Sequence, residues 1–278
     1  TARDLSCLAY SCGSPGVRQE GLLAALAEYV VAARQHVKWN ASSLAVFMYG
    51  LANAGFRDTR LMAWAEAAVA ATPPSAFNLR NISFLLYNFH RLRWWPRSAA
   101  AHLLGAACLH PPASIPVISI STVLMCMGSG RARDERALAH LCDALVRRPR
   151  RELSAKDVCI CLTALQRLHN EDVLASQQPE VLAALDHLTA AIADRGFSRP
   201  GPGGAPLPVF NHQEVSNALF ALGRLRYYSP QVLHALRCHA ARGGLAGSSA
   251  WDCTALLVGL AQLDYDIRQG ELRQQEQG

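Results

Sequence analysis

The sequence predicts an all-α protein, a right-handed α-solenoid of about seven helix–turn–helix repeats. Three observations predict it. An apolar stripe at helical spacing recurs at a fixed period: Trp39, Phe77, Ile115 and Leu153 open successive copies, and the three intervals between them are equal. Prolines punctuate the chain in step with that period, at Pro73-Pro74 and again at Pro111-Pro112. Alanine is abundant and β-branched runs are scarce, the best being residues 115–123, so almost no strand is expected.

Residues 1–37 are a degenerate first copy, with Leu5, Leu8 and Ala9, a break at Gly13, Pro15 and Gly16, then an apolar run from Leu22 to Val30. Residues 38–75 carry the stripe Leu44, Phe47, Met48 and Leu51, and residues 76–112 carry Ile82, Leu85, Leu86 and Phe89. The proline pair ending each of these copies stops one helix and sets the entry of the next. Residues 113–150 hold Ile120, Val123, Leu124 and Met127 and end in a basic run. Residues 151–196 hold Val158, Cys161, Leu162 and Leu165, with a lengthened turn from Asn170 to Pro179. The interval from Leu153 to Phe210 is half as long again as the others. The surplus is assigned to that turn and to a Pro/Gly loop over 197–209, which cannot be helical.

Residues 210–246 are the plainest hairpin. Asn211 and Glu214 have the spacing of a capping box, and Val215, Ala218, Leu219, Leu222 and Leu225 form the stripe. A second helix is expected from about Pro230, with Val232, Leu233, Leu236 and Ala240 on one face. Residues 247–270 are a partial last copy with Cys253, Leu256, Leu257 and Leu260, followed by a polar tail expected to fray.

At 51% hydrophobic and 17% charged residues the chain packs a core. The net charge of +6 is compatible with nucleic acid or an acidic partner. The nine cysteines are odd in number and include no C-x-x-C or zinc spacing. They are expected inside the apolar stripes (Cys126, Cys159, Cys161, Cys253) or on second helices (Cys108, Cys142, Cys238), as small hydrophobes in a reducing compartment. No uninterrupted apolar run reaches the length of a membrane span, so no transmembrane helix is expected, and Thr1 in place of an initiator Met is compatible with a processed or truncated N-terminus.

The face of each first helix opposite its stripe is expected to line the inner surface. Taking the residues 3, 7, 10 and 14 places after each repeat start, the first two copies read Ser42, Val46, Tyr49, Asn53 and Arg80, Phe84, Tyr87, Arg91. The next two read Ile118, Thr122, Met125, Ser129 and Lys156, Ile160, Thr163, Arg167. The last two read Gln213, Asn217, Phe220, Arg224 and Trp251, Ala255, Val258, Gln262. The fourth column is polar throughout, and two places beyond it stand Gly55, Arg93, Arg131, His169, Arg226 and Asp264. Such a cationic row suits a single-stranded nucleic acid. Guanidinium groups pair with phosphates, and neighbouring side chains stack on or hydrogen-bond unpaired bases. For any one arginine, solvation at a helix C-terminus is the stronger reading; the recurrence favours binding.

The turn Arg91 to Arg97 concentrates arginine with two tryptophans. Trp94 is assigned to the core, since Phe56 and Tyr227 hold the same place, and Trp95 is left as a stacking candidate. Arg147, Arg148, Arg150 and Arg151 are phosphate-contact candidates or a solvated patch. The candidate RNA-binding set is therefore Asn53, Arg80, Arg91, Arg93, Trp95, Arg131, Arg147, Arg148, Arg150, Arg151, Lys156, Arg167, Asn217, Arg224 and Arg226. No nucleophile, base and orienting group stand together; the ten histidines have no ligand spacing, and Asp186-His187 are adjacent on a helix. No enzyme activity, cofactor, metal or small-molecule substrate is expected.

The period set by Trp39, Phe77, Ile115 and Leu153, with the helix patterns of residues 44–56 (LAVFMYGLANAGF) and 217–225 (NALFALGRL), resembles octotricopeptide repeat proteins. Thr72-Pro-Pro and His110-Pro-Pro echo that family's repeat ends. These helical-repeat proteins of green-algal organelles bind single-stranded RNA. The resemblance implies an organellar RNA-binding protein, in the mitochondrial matrix by preference or in the chloroplast stroma. A structural component of a mitochondrial ribosome is favoured, holding ribosomal RNA beside other ribonucleoprotein subunits. A gene-specific factor for transcript stability, processing or translation is the alternative, and a protein–protein scaffold of HEAT or armadillo type is another. Apolar residues at Val46, Ile118, Ile160 and Ala255 favour a grip on backbone or structured RNA over a base-by-base code.

Overall fold

The computed structural model describes residues 1–13, 19–33, 36–130, 132–171, 178–200 and 206–276. The described chain is all-α, with thirteen α-helices: α1 (Ala2–Cys12), α2 (Glu20–Ala32), α3 (Ala41–Ala54), α4 (Thr59–Ala71), α5 (Leu79–Arg91), α6 (Arg97–Ala107), α7 (Val117–Gly130), α8 (Glu135–Val146), α9 (Ala155–Glu171), α10 (Pro179–Arg195), α11 (His212–Arg224), α12 (Pro230–Ala241) and α13 (Ala250–Glu276). It divides into two compact units, residues 1–115 with 132–137, and residues 116–131 with 138–278.

In the first unit α1, α3 and α5 pack successively side by side, and α2, α4 and α6 do the same. Each odd helix also packs on the even helix that follows it, so the unit is a stack of three hairpins. The stripes account for the core: Leu44, Phe47, Met48 and Leu51 are fully buried, as are Ile82, Leu85, Leu86 and Phe89. Trp39 meets Phe47 and Trp64 edge-on, with ring centroids 5.1 and 4.9 Å away, in a cluster where those two rings also touch. In the second unit α7, α9, α11 and α13 pack in series, and α10 packs on both α9 and α12. Here Ile120, Leu124, Met127, Val158, Cys161, Leu162 and Leu219 are fully buried.

Local chemistry fixes the phase of the period. One residue after three of the repeat starts stands an N-cap oxygen: Asn40, Asn78 and Asn211 accept from the N–H groups of Ser43, Asn81 and Glu214 at 2.8 Å. Glu214 closes the capping box by accepting from the Asn211 N–H at 2.9 Å. Before three odd helices a 3₁₀ turn follows a proline: Pro73, Pro111 and Pro149 accept from Ala76, Ser114 and Glu152. Phe77, Ile115 and Leu153 close those turns and are buried. At the far end the chain reverses through a left-handed residue: Gly55 (φ 65°), Arg93 (φ 53°) and Arg226 (φ 54°). Phe56, Trp94 and Tyr227 follow, and their N–H groups reach back to the carbonyls of Leu51, Phe89 and Leu222. That is the Schellman closure, with an aromatic residue as its apolar plug.

Some odd helices touch backbone to backbone. A Cβ on Gly50 would lie 2.4 Å from the Ala9 carbonyl carbon, and one on Gly223 would lie 2.4 Å from the Gly259 oxygen. Only glycine permits that approach.

Three expectations are modified. The residues flanking 201–205 are a small antiparallel ladder, β1 (Ser198–Pro200) with β2 (Pro206–Pro208), and not loop throughout. The Phe197 carbonyl accepts from both Val209 and Phe210, and the two buried phenyl rings meet edge-to-face. The polar tail continues α13 as helix to Glu276. The stripe of the last copy is not buried: Leu257 is 63% exposed, Cys253 is exposed, and Leu256 and Leu260 are half-buried, because no further helix covers that face of α13 among the described residues. The break at Pro15-Gly16, Arg131, and most of the lengthened turn before Gln178 lie outside the described residues.

Candidate nucleic-acid interface

In the first unit the fourth-column residues meet along the stack. Arg91 on α5 donates from Nη1 to Asn53 Oδ1 on α3 at 2.6 Å, across one period. The Arg91 guanidinium also lies over the Tyr87 ring at 5.9 Å, and that of Arg80 lies over Phe84 at 5.4 Å. The Phe84 ring is 5.8 Å from Tyr49, edge-on, and Tyr49 is 5.7 Å from Tyr10 in a near-parallel stack. Three hairpins thus contribute to one aromatic and cationic strip, exposed at Tyr10 and Tyr87 and half-buried at Tyr49 and Phe84. Beside it Asn81, buried, donates from Nδ2 to Ser42 Oγ at 3.3 Å.

The second unit repeats the pairing. Arg167 on α9 donates to Ser129 Oγ on α7 at 2.7 Å, again across one period. Arg224 and Arg226, both exposed, stand close enough to His169 to depress its pKa, though burial is the larger cause. Lys156 is exposed and Asn217 half-buried. Ile118, beside this row, is 67% exposed.

The arginines of residues 147–151 are engaged differently. Arg147 Nε lies 2.9 Å from both Asp143 carboxylate oxygens, and Arg150 Nε lies 3.3 Å from Asp194. The Arg150 carbonyl also accepts from Arg195 at 2.8 Å, which ties the run to α10. Arg148 is half-buried, leaving Arg151 exposed. At the aromatic turn Trp94 and Trp95 are both half-buried. The indole N–H of Trp94 is buried without a partner among the described residues, and Arg57 covers that ring at 5.5 Å. Arg93 is exposed at its left-handed position.

Tyr10 and Arg57 were not singled out from the sequence. Tyr10 stands about one period before Tyr49, so extending the period back into the degenerate first copy would have found it.

The described residues hold no group of three or more His, Cys, Asp or Glu placed to share a metal ion. No described helix is long and apolar enough to cross a membrane. All nine cysteines are free. Burial pushes Cys126 and Cys142 up to about 12, and Cys161 and Cys159 upward as well. Cys7 and Cys253 are exposed, so the expectation of uniformly buried thiols is corrected for Cys253.

Each unit thus offers a guanidinium group held by a neutral partner, Arg91 by Asn53 and Arg167 by Ser129, and in the first unit aromatic rings stand beside it. Comparison with protein-family models and with curated proteins finds no match for the chain.

Proposed function

We propose that the chain is a right-handed α-solenoid that binds single-stranded or structured RNA along its odd-helix face, without catalysis. Ribosomal RNA in a mitochondrial ribosome is the favoured setting, with other ribonucleoprotein subunits as neighbours. A gene-specific transcript factor in mitochondrion or chloroplast is the alternative.

One observation carries the reading. Arg91 and Arg167 are positioned by an amide and a hydroxyl, at 2.6 and 2.7 Å, while Arg147 and Arg150 are paired with carboxylates. A neutral partner orders the guanidinium fork and leaves its charge available; a carboxylate neutralises it. Ordered, uncompensated guanidinium groups suit phosphates.

The test is RNA affinity measured against salt. The protein is expected to lose affinity steeply as salt rises. Replacing Arg91, Arg167 and Arg224 together with Gln should lower the log–log slope by about 2, at roughly 0.7 per phosphate contact on a single strand. An unchanged slope, with helical content intact, would make the row a solvated face.

A protein-docking role for part of the second unit has its own support. Ile118 is 67% exposed and Trp251 75% exposed, side chains better matched to an apolar partner than to phosphate. Binding of a protein that persists at high salt would favour that scaffold reading.

A further inference from the structure

The first unit contains a groove of about 570 Å³ between α1, α3 and α5. Its volume falls within the usual range for small-ligand sites. One wall is aromatic. Tyr10, 51% exposed, stacks on Tyr49, and Tyr49 abuts Phe84. The other wall is polar. Asn78 Oδ1 is used in capping α5, and Asn81 Nδ2 is used on Ser42. The amide donors of Asn78 and the amide oxygen of Asn81 make no hydrogen bond among the described residues. Arg80 lies at the lip, its guanidinium fixed over Phe84.

The lining excludes one ligand class by its charge. No carboxylate lines the groove, and a guanidinium already occupies its aromatic edge, so a cationic guest such as a quaternary ammonium finds no counter-charge. A planar, neutral, hydrogen-bonding ring with an attached anion matches every wall. Exposed Tyr10, backed by half-buried Tyr49, offers a stacking surface, the two amides a donor and an acceptor, and Arg80 a phosphate partner.

We propose that this groove holds one unpaired nucleobase, stacked on Tyr10 and Tyr49, with its edge on Asn78 and Asn81 and its flanking phosphate on Arg80. The proposal rests on the RNA-binding reading above and adds a base-holding site to a surface otherwise suited to phosphates. Because stacking is tolerant of base identity, the site retains any unpaired base and reads sequence only through the two amides.

The experiment compares two probes on the full chain by fluorescence anisotropy at equal salt: an oligouridylate, and a base-free ribose-phosphate chain of the same length. The oligouridylate is expected to bind about tenfold tighter. Tyr10→Leu should erase most of that difference and leave affinity for the base-free chain unchanged; Tyr10→Phe should retain it. Because half of the Tyr10 side chain is exposed, its replacement leaves the core intact, and an unchanged melting temperature verifies this. Tyr49→Leu should behave in the same way. Equal binding of both probes, or a Leu variant that keeps the full difference, overturns the groove and leaves the arginine row standing. Binding of neither probe overturns the RNA reading and the groove with it, as does preference for a proline-rich peptide, the other guest of aromatic grooves.

Discussion

Arg93 and Arg226 adopt φ of 53° and 54°, where the equivalent residue of an earlier hairpin is Gly55. A side chain there costs about 1–2 kcal/mol, less the extra freedom that glycine has when unfolded. Arg93→Gly should therefore raise stability by roughly 0.5–1 kcal/mol, read as a higher melting temperature, and, on the proposed function, weaken RNA binding. A variant that lowers stability would mean that the arginine is held by contacts outweighing its backbone strain. The cationic row was legible because spacing alone reveals it. The backbone conformation beneath it was not, because arginine is a poor marker of a left-handed turn. Histidine carries the acid response. Burial lowers the pKa of His169, His187 and His239, aided at His169 by Arg226 and Arg224 and at His239 by His212 and Arg242. Their folded forms disfavour the proton that the unfolded chain accepts near pH 6.5. Stability from these three is complete above that pH and is lost as pH falls below it, which denaturant titrations across the acid range would show.

Some neighbouring helices approach to backbone contact, and glycine is what permits it. Gly223→Ala pushes a methyl group into the Gly259 backbone at 2.4 Å and should cost about 1–3 kcal/mol. Gly105→Ala on α6, where a Cβ meets nothing within 4 Å, should gain about 1 kcal/mol from helix propensity. Urea denaturation of the two variants gives the contrast; similar shifts would mean that α11 and α13 separate at little cost. Helix positions were readable because stripe, cap and proline recur together, as at Asn211 and Glu214. Pro149 belongs with Pro73 and Pro111 but hides among arginines, without a second proline to mark it. The ladder at 198–208 was unreadable for a different reason. Its strands are three residues long and rich in proline, and pairing arises because the Phe197 carbonyl gathers the N–H groups of Val209 and Phe210.

Across the molecule the cysteines report packing. Cys12, Cys126, Cys142, Cys159 and Cys161 are buried, while Cys7 and Cys253 are exposed and Cys108 and Cys238 half-buried. Iodoacetamide on native protein should label Cys7 and Cys253 quickly, and the five buried thiols only after denaturation; fast labelling of Cys161 would reveal an opening of the α7–α9 packing. The all-α class was readable from composition and period, since both describe the chain as a whole. The arginine pairing was not, because hydrogen bonds between residues a full period apart require the packing itself. That pairing also has a consequence for how the surface responds to its medium. The Asn53 amide and the Ser129 hydroxyl are both uncharged, so neither cancels the guanidinium that it holds. The Arg91 and Arg167 positions therefore resemble the tethered sites of an ion exchanger, whose hold on a counter-ion weakens as dissolved salt competes for it.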